Sequence, residues 1–437
     1  MKHIFNISLF ALLAMTLASC EYGSNLGGNN GGSEEIEIPL TGDYISFWTD
    51  IETRANLVTT DYIEQSLGLI CYMYDPTNSW GAYQVSAKPN VDALGETQEY
   101  PTELAYDGGS YTYGEPVSWE SMKYAFFAYT PYGHSAVVPS GENVEKTPYV
   151  TYTLDLFDAA NHADVITGYA VNCYAAINKY VTFRMKHRLS AVDIAAVNYY
   201  DYSYQSGEDT EGEPIYTTEK VTIEIDSMTA KFTNLQYGKA KIYLDHHIAS
   251  VPVELAGDTK PEYSIVGTDG YELKPSASSE FDYISVDQGT TMLFIPQEDD
   301  IEKAEDNLIV DVYVEYKKCR PDGTYLWTVV ETVTEDGKER EYKVDIPAGS
   351  AKEYIETIDP YPDPNATSEI TVLGCDRDEH GNYTDGVFTT TQTATFEQSL
   401  EEEYRYYALL TFTSHAVSIN ILTAAAWNEN VVDYEFD

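Results

Sequence analysis

Short stretches in which apolar and polar side chains alternate recur along most of this 437-residue chain. A period of two places alternate side chains on opposite faces of a strand, so the pattern commits the chain to sheets with one face buried. Tyr180–Lys186 puts Val181, Phe183 and Met185 on one side. Tyr44–Ile51 puts Ile45, Phe47 and Ile51 together. Leu67–Tyr74 and Lys123–Tyr129 are continuous apolar runs that read as fully buried strands, the second stopped by Pro131. Further strands are predicted at Lys220–Ile225, Lys241–Leu244, Thr291–Ile295, Leu308–Tyr316, Tyr325–Thr332, Tyr404–Thr413 and Ala416–Leu422. Asp322-Gly323 and Asp336-Gly337 mark hairpin turns. Helical periodicity is scarce, with one short candidate at Leu154–Asn161. The fold class expected is all-β, built of sandwiches.

The first residues belong to a different kind of segment. Lys2 and His3 precede the apolar run Ile4–Leu17, which has the length of a signal-peptide core and is too short to span a bilayer. Leu17-Ala18-Ser19-Cys20 then offers small residues ahead of a cysteine, the pattern cut and acylated in lipoproteins. Residues 1–20 are therefore expected to be a lipoprotein signal peptide and Cys20 the lipidated residue. Acyl chains worth ~0.8 kcal/mol per buried methylene hold a protein on a membrane without a helix. Residues 21–40, rich in Gly and Asn, read as a flexible linker that lets the folded part stand off the lipid.

Composition narrows the function. A formal net charge of −47 repels phosphate backbones and anionic headgroups, which argues against nucleic acid as a partner. The 39 tyrosines suit strands whose outer faces are half wet. No Gly-x-Ser-x-Gly or other nucleophile motif is present, and no C-x-x-C pair suggests zinc or redox chemistry. The expectation is a protein with no catalytic residues, no cofactor and no metal. Asp245-His246-His247 places neighbouring side chains on opposite faces of a strand, which is poor for one ion. Asp376-x-Asp378-x-His380-Gly381 opens like a calcium loop but has Val387 where the bidentate Glu belongs. Asp226-Ser227-Met228 carries a weak O-glycosylation pattern.

A boundary near residues 174–180 divides the chain into an N-terminal sandwich, 41–178, and a C-terminal one, 179–437. Residues 360–400 read as an insertion in the second. Besides Cys20, four cysteines allow three pairings. The boundary groups Cys71 with Cys173 and Cys319 with Cys375, which permits one bridge per domain. Cys71, in an apolar run, also reads as a buried free thiol.

Several blocks, taken in order, resemble the fimbrillin family of Bacteroidales, the subunits of type V pili. They are the lipobox at Cys20 with its polar linker, Ile45-Ser46-Phe47 ahead of Thr53-Arg54-Ala55, the aromatic run Trp119–Tyr132, and Ala163-Asp164-Val165-Ile166. Val181–Ser190, with His187, Leu189 and Ser190, follows, then Leu293–Gln297 and Ala424–Trp427. The resemblance implies two tandem transthyretin-like (Ig-like) β-sandwich domains and an outer-membrane, surface-exposed lipoprotein within a fimbrium. It also implies cleavage after Arg54, ahead of Ala55, which removes residues 41–54 with Ile45, Phe47 and Ile51. A strand from another subunit then fills the groove by donor-strand exchange. Val417, Ile419 and Ile421, alternating with Ser418 and Asn420, are the candidate donor. Partners implied are other fimbrial subunits. The competing reading is a non-polymerising surface lipoprotein whose sandwich loops bind a host glycan or protein.

Overall fold

The computed structural model describes residues 44–51, 65–83, 100–107, 111–114, 117–141, 147–175, 180–256, 260–267, 269–276, 282–284, 291–296, 307–335, 337–357, 367–397 and 399–424. Strands are the dominant element among these residues. The helical elements among them are short: Trp80–Tyr83, Ala351–Thr357 and a 3-10 turn at Ala159–Asn161 inside the predicted helical stretch.

Four sheets carry the architecture. A seven-stranded leading sheet runs in the order Phe47–Ile51, Val181–His187, Ile166–Cys173, Lys123–Thr130, Leu67–Tyr74, Thr102–Tyr106, Tyr111–Thr112. A four-stranded bridging sheet takes Val137–Pro139 and Tyr149–Thr153 from one half of the chain and Tyr237–Tyr243 and Val251–Leu255 from the other. A trailing sheet places Ser190–Tyr199 between the short strands Asp282–Ile284 and Met292–Phe294 on one side and Arg405–Thr413 on the other, with Val417–Ala424 outermost. An eight-stranded large sheet is built around Thr222–Thr233, Ile309–Cys319, Tyr325–Glu335 and Lys338–Pro347.

The alternation read from the sequence sets the packing. Val181, Phe183 and Met185 are buried while Thr182, Arg184 and Lys186 are half-buried. The central strands of the leading sheet, Leu67–Tyr74, Lys123–Thr130 and Ile166–Cys173, are buried on both faces. Leu67, Leu69 and Phe126 look into one core with Phe183, and Tyr72, Phe127 and Tyr169 into another. That second core is continuous: it includes Tyr152 and Ile242 of the bridging sheet, Ile194 and Leu410 of the trailing sheet, and Ile223 and Val314 of the large sheet. Across the second sandwich, the rings of Tyr316 and Phe412 meet edge to face at 5.3 Å. Gly168 is required where the leading sheet is tightest, because a Cβ there would stand 2.8 Å from the Arg184 carbonyl oxygen.

Three features differ from the sequence reading. Val181–His187 pairs inside the leading sheet, so that sheet continues past the boundary set at 178. Residues 367–397, read as an insertion, supply two strands to the large sheet. Thr367–Leu373 pairs with Thr328–Thr334, and Phe388–Thr395 pairs with Ile309–Tyr316, leaving Cys375–Arg377 and Tyr383–Asp385 as a small hairpin. These strands are Thr-rich and mostly exposed, so they lack the apolar alternation that marks a strand in sequence. Finally, Cys71, Cys319 and Cys375 are free thiols, which leaves neither within-domain bridge in place. Burial pushes the Cys71 thiol well above its ordinary range, as expected of an inert core sulfur.

The sandwiches meet at Arg188, between the last strand of the leading sheet and the first of the trailing sheet. Its side chain is wholly buried and every guanidinium N–H finds an acceptor. Nε donates to Glu402 Oε2 at 3.0 Å and Nη2 to Glu402 Oε1 at 3.3 Å. Nη1 donates to Thr167 Oγ1 at 3.2 Å and to the Tyr243 carbonyl at 2.5 Å, and Nη2 to the Ile248 carbonyl at 2.9 Å. The guanidinium thus ties the leading sheet, the bridging sheet and the 399–404 turn together. Replacing Arg188 by Met strands these acceptors in a dry site. The expected loss is about 3–5 kcal/mol in urea denaturation.

Candidate functional site: two edge strands

The two segments singled out in the sequence both lie at sheet edges. Phe47–Ile51 is the outermost strand of the leading sheet. It runs parallel to Val181–His187, with Phe47 opposite Val181, Thr49 opposite Phe183 and Ile51 opposite Met185. Just before it, the Ile45 N–H donates to the Val117 carbonyl at 2.9 Å and the Val181 N–H to the Ser46 carbonyl at 2.7 Å. The Tyr113 hydroxyl donates to the Ile45 carbonyl at 2.8 Å. The residues just ahead of this edge strand are therefore also held by Tyr113 and Val117, which lie outside the strands of the sheet.

Its side chains reach into the core. Ile45 and Phe47 are 2% and 3% exposed. The Phe47 ring stacks on Phe183 at 5.8 Å and meets Tyr113 and Phe126 edge-on at 5.4 and 5.2 Å. Thr49, also buried, hydrogen-bonds the Tyr111 hydroxyl at 3.2 Å, and burial raises that phenol to about 12. Taking the segment away would uncover an aromatic groove and the backbone edge of Val181–His187. Arg54, Ala55 and Cys20 lie outside the described residues.

Val417–Ala424 is the outermost strand of the trailing sheet and pairs antiparallel with Arg405–Thr413. Val417, Ile419 and Ile421 stand opposite Phe412, Leu410 and Ala408 and are half-buried against the large core. Ser418 and Asn420 point to solvent. The strand is less deeply buried than Ile45 and Phe47.

Other sequence candidates resolve simply. The Asp378 carboxylate is filled from its own loop, by the N–H groups of His380 and Asn382 and the Asn382 side-chain amide at 2.8–3.0 Å, which also hold it below the usual carboxylate range. Ser227 sits at a bulge and donates to Glu315 at 2.8 Å. His247 Nδ1 lies 2.8 Å from the Tyr169 hydroxyl. No group of three or more metal-ligating side chains gathers among the described residues. Two sequence blocks do come together: His187 Nδ1 lies 3.0 Å from Asp164, and the Arg188 N–H donates to the Val165 carbonyl at 2.9 Å.

Phe47 fills its site so completely that Phe47→Ala in the uncleaved chain should cost about 3–5 kcal/mol in urea denaturation. Ser418→Ala on the exposed face of the last strand should change stability by no more than about 0.5 kcal/mol.

No curated protein sequence matches this chain. Among solved structures, it is similar to a fimbrial protein from Bacteroides vulgatus ATCC 8482. The identity is 12% and the TM-score 0.49, with 88% of this chain and 99% of that chain covered. It is also similar to the tip fimbrial protein Mfa3 from Porphyromonas gingivalis with C-terminal truncation. There the identity is 8% and the TM-score 0.26, with 84% and 95% covered. The assignment rests on sequence rather than on these overlays: residues 76–360, more than half of the chain, match the fimbrillin-like family, and the protein belongs to that family.

Proposed function

We propose that this chain is a structural subunit of a cell-surface adhesion fimbrium, exported and lipid-anchored at Cys20, that joins its neighbours by strand exchange after cleavage between Arg54 and Ala55. The observation that carries the reading is how Phe47–Ile51 is held. It is an edge strand, parallel to its one ladder partner, so no hairpin turn ties the two together. Only tertiary contacts retain it.

Its loss would nevertheless be felt. Ile45 and Phe47 each contribute about 1.5–3 kcal/mol by burial. The hydrogen bonds of the segment add about 0.5–1.5 kcal/mol each. A chain lacking it carries an apolar groove beside an unpaired strand edge, a combination that recruits another strand by β-augmentation. Val417–Ala424 has the matching properties: one ladder neighbour, alternating apolar side chains and modest burial. Donor and groove lie on different parts of the molecule, so the contact is head to tail and gives a filament rather than a closed ring.

The surface-exposed protein should begin at Ala55 and run as an SDS-resistant ladder. A monomer that keeps lipidated Cys20 would overturn this reading in favour of a tethered lipoprotein that binds a host glycan or protein through its loops. Truncation before Ala416 should abolish the ladder; unchanged assembly would exclude Val417, Ile419 and Ile421 as the donor.

A further inference from the structure

Lys318 lies near the end of the central strand Ile309–Cys319, with its ammonium group turned inward and the residue only 5% exposed. Nζ donates to Asp345 Oδ1 at 2.9 Å and to Thr328 Oγ1 at 2.7 Å. Thr328 Oγ1 in turn donates to the same Asp345 Oδ1 at 2.6 Å. The Tyr200 hydroxyl donates to the other carboxylate oxygen, Oδ2. The Phe388 and Tyr200 rings lie 4.2 and 4.8 Å from Nζ. Strand register produces this meeting: Lys318 faces Leu326, Thr328 follows two residues later on the same side, and Thr328 faces Asp345.

Enclosing an ammonium and a carboxylate among aromatic rings is costly for both charges. Burial presses the Lys318 amine below its usual range, against the pull of Asp345. Held in contact, the ammonium and the carboxylate contain all the atoms of an amide and one water.

We infer that Lys318 and Asp345 become covalently joined in the folded chain by an amide bond between Nζ and Cγ. The bond N–C forms and the bond C–Oδ1 breaks. Two of the three ammonium protons pass to Oδ1, one directly and one relayed through Thr328 Oγ1, and Oδ1 leaves as water. The third proton stays on the amide nitrogen. Oδ2 becomes the carbonyl oxygen, and the Tyr200 O–H stabilises the charge that develops on it in the tetrahedral intermediate. No oxidant or cofactor enters, and the fold supplies the proximity. The product links strand Ile309–Cys319 to strand Lys338–Pro347 across the strand between them.

The test is tryptic peptide mass spectrometry of the full chain. The peptides bearing Lys318 and Asp345 should appear joined, one water lighter than their sum, with no cleavage after Lys318. Separate peptides at full mass, cut after Lys318, would overturn the bond and leave an ion pair. Lys318→Arg, which keeps the charge but not the amine, should give only unlinked peptides; a water loss that persists there would overturn the assignment. Protein kept in concentrated urea from synthesis should acquire the link only on refolding, and a link present before refolding would equally refute a fold-driven reaction.

Discussion

A buried guanidinium is expensive unless every one of its donors is satisfied, and the junction of this molecule is organised around satisfying Arg188. Two acceptors come from one carboxylate, that of Glu402, which also accepts from Ser250 at 2.6 Å. The others are the Thr167 hydroxyl and the Tyr243 and Ile248 carbonyls, from segments far apart in sequence. Two hydrogen bonds place the turn that carries Glu402: the Ala191 N–H donates to the Tyr404 carbonyl at 2.9 Å, and the Ser190 hydroxyl to the Glu401 carbonyl at 2.8 Å. Because all these acceptors must be present together, the trailing strands near the C-terminus are fixed relative to the leading sheet. The continuous core and the antiparallel bridging sheet, drawn from both halves of the chain, span the same junction.

That rigidity contrasts with the two edges. The leading sheet begins at a segment whose neighbours are remote in sequence, and the trailing sheet ends in a strand with a single partner. Neither edge strand supplies an acceptor to Arg188. The desolvated polar network sits at the centre, and the strands with a single ladder partner sit at the rim.

Much of this was readable from the residues. The alternation of Val181, Phe183 and Met185 gave both the strand and its buried face, and the continuous runs Leu67–Tyr74 and Lys123–Tyr129 gave interior strands. Strands with little apolar content were not readable: in Phe388–Thr395 only Phe388 is buried, and its place depends on pairing with a central strand. Lys338–Pro347 was equally silent, because its charged residues suit an exposed sheet edge. The blocks around Asp164 and His187 could be noticed in sequence, but not that they touch. Arg188, between His187 and Leu189, carries no mark in the sequence, because its acceptors are backbone carbonyls and distant side chains. Lys318 and Asp345 were hidden for a similar reason: isolated charges in strands look solvated until the register shows what they face.

The parallel course of the first strand has a mechanical meaning. Its chain enters at the end where its neighbour begins, whereas the neighbour leaves toward Arg188 at the opposite end. Tension between the start of the folded chain and its body therefore acts along the strand axis. All the ladder bonds share that load at once and must slip together, with the Phe47 ring dragged past Phe183, instead of peeling one after another. A tether attached ahead of residue 44 would hold by shear, the stronger of the two ways to pull a strand from a sheet.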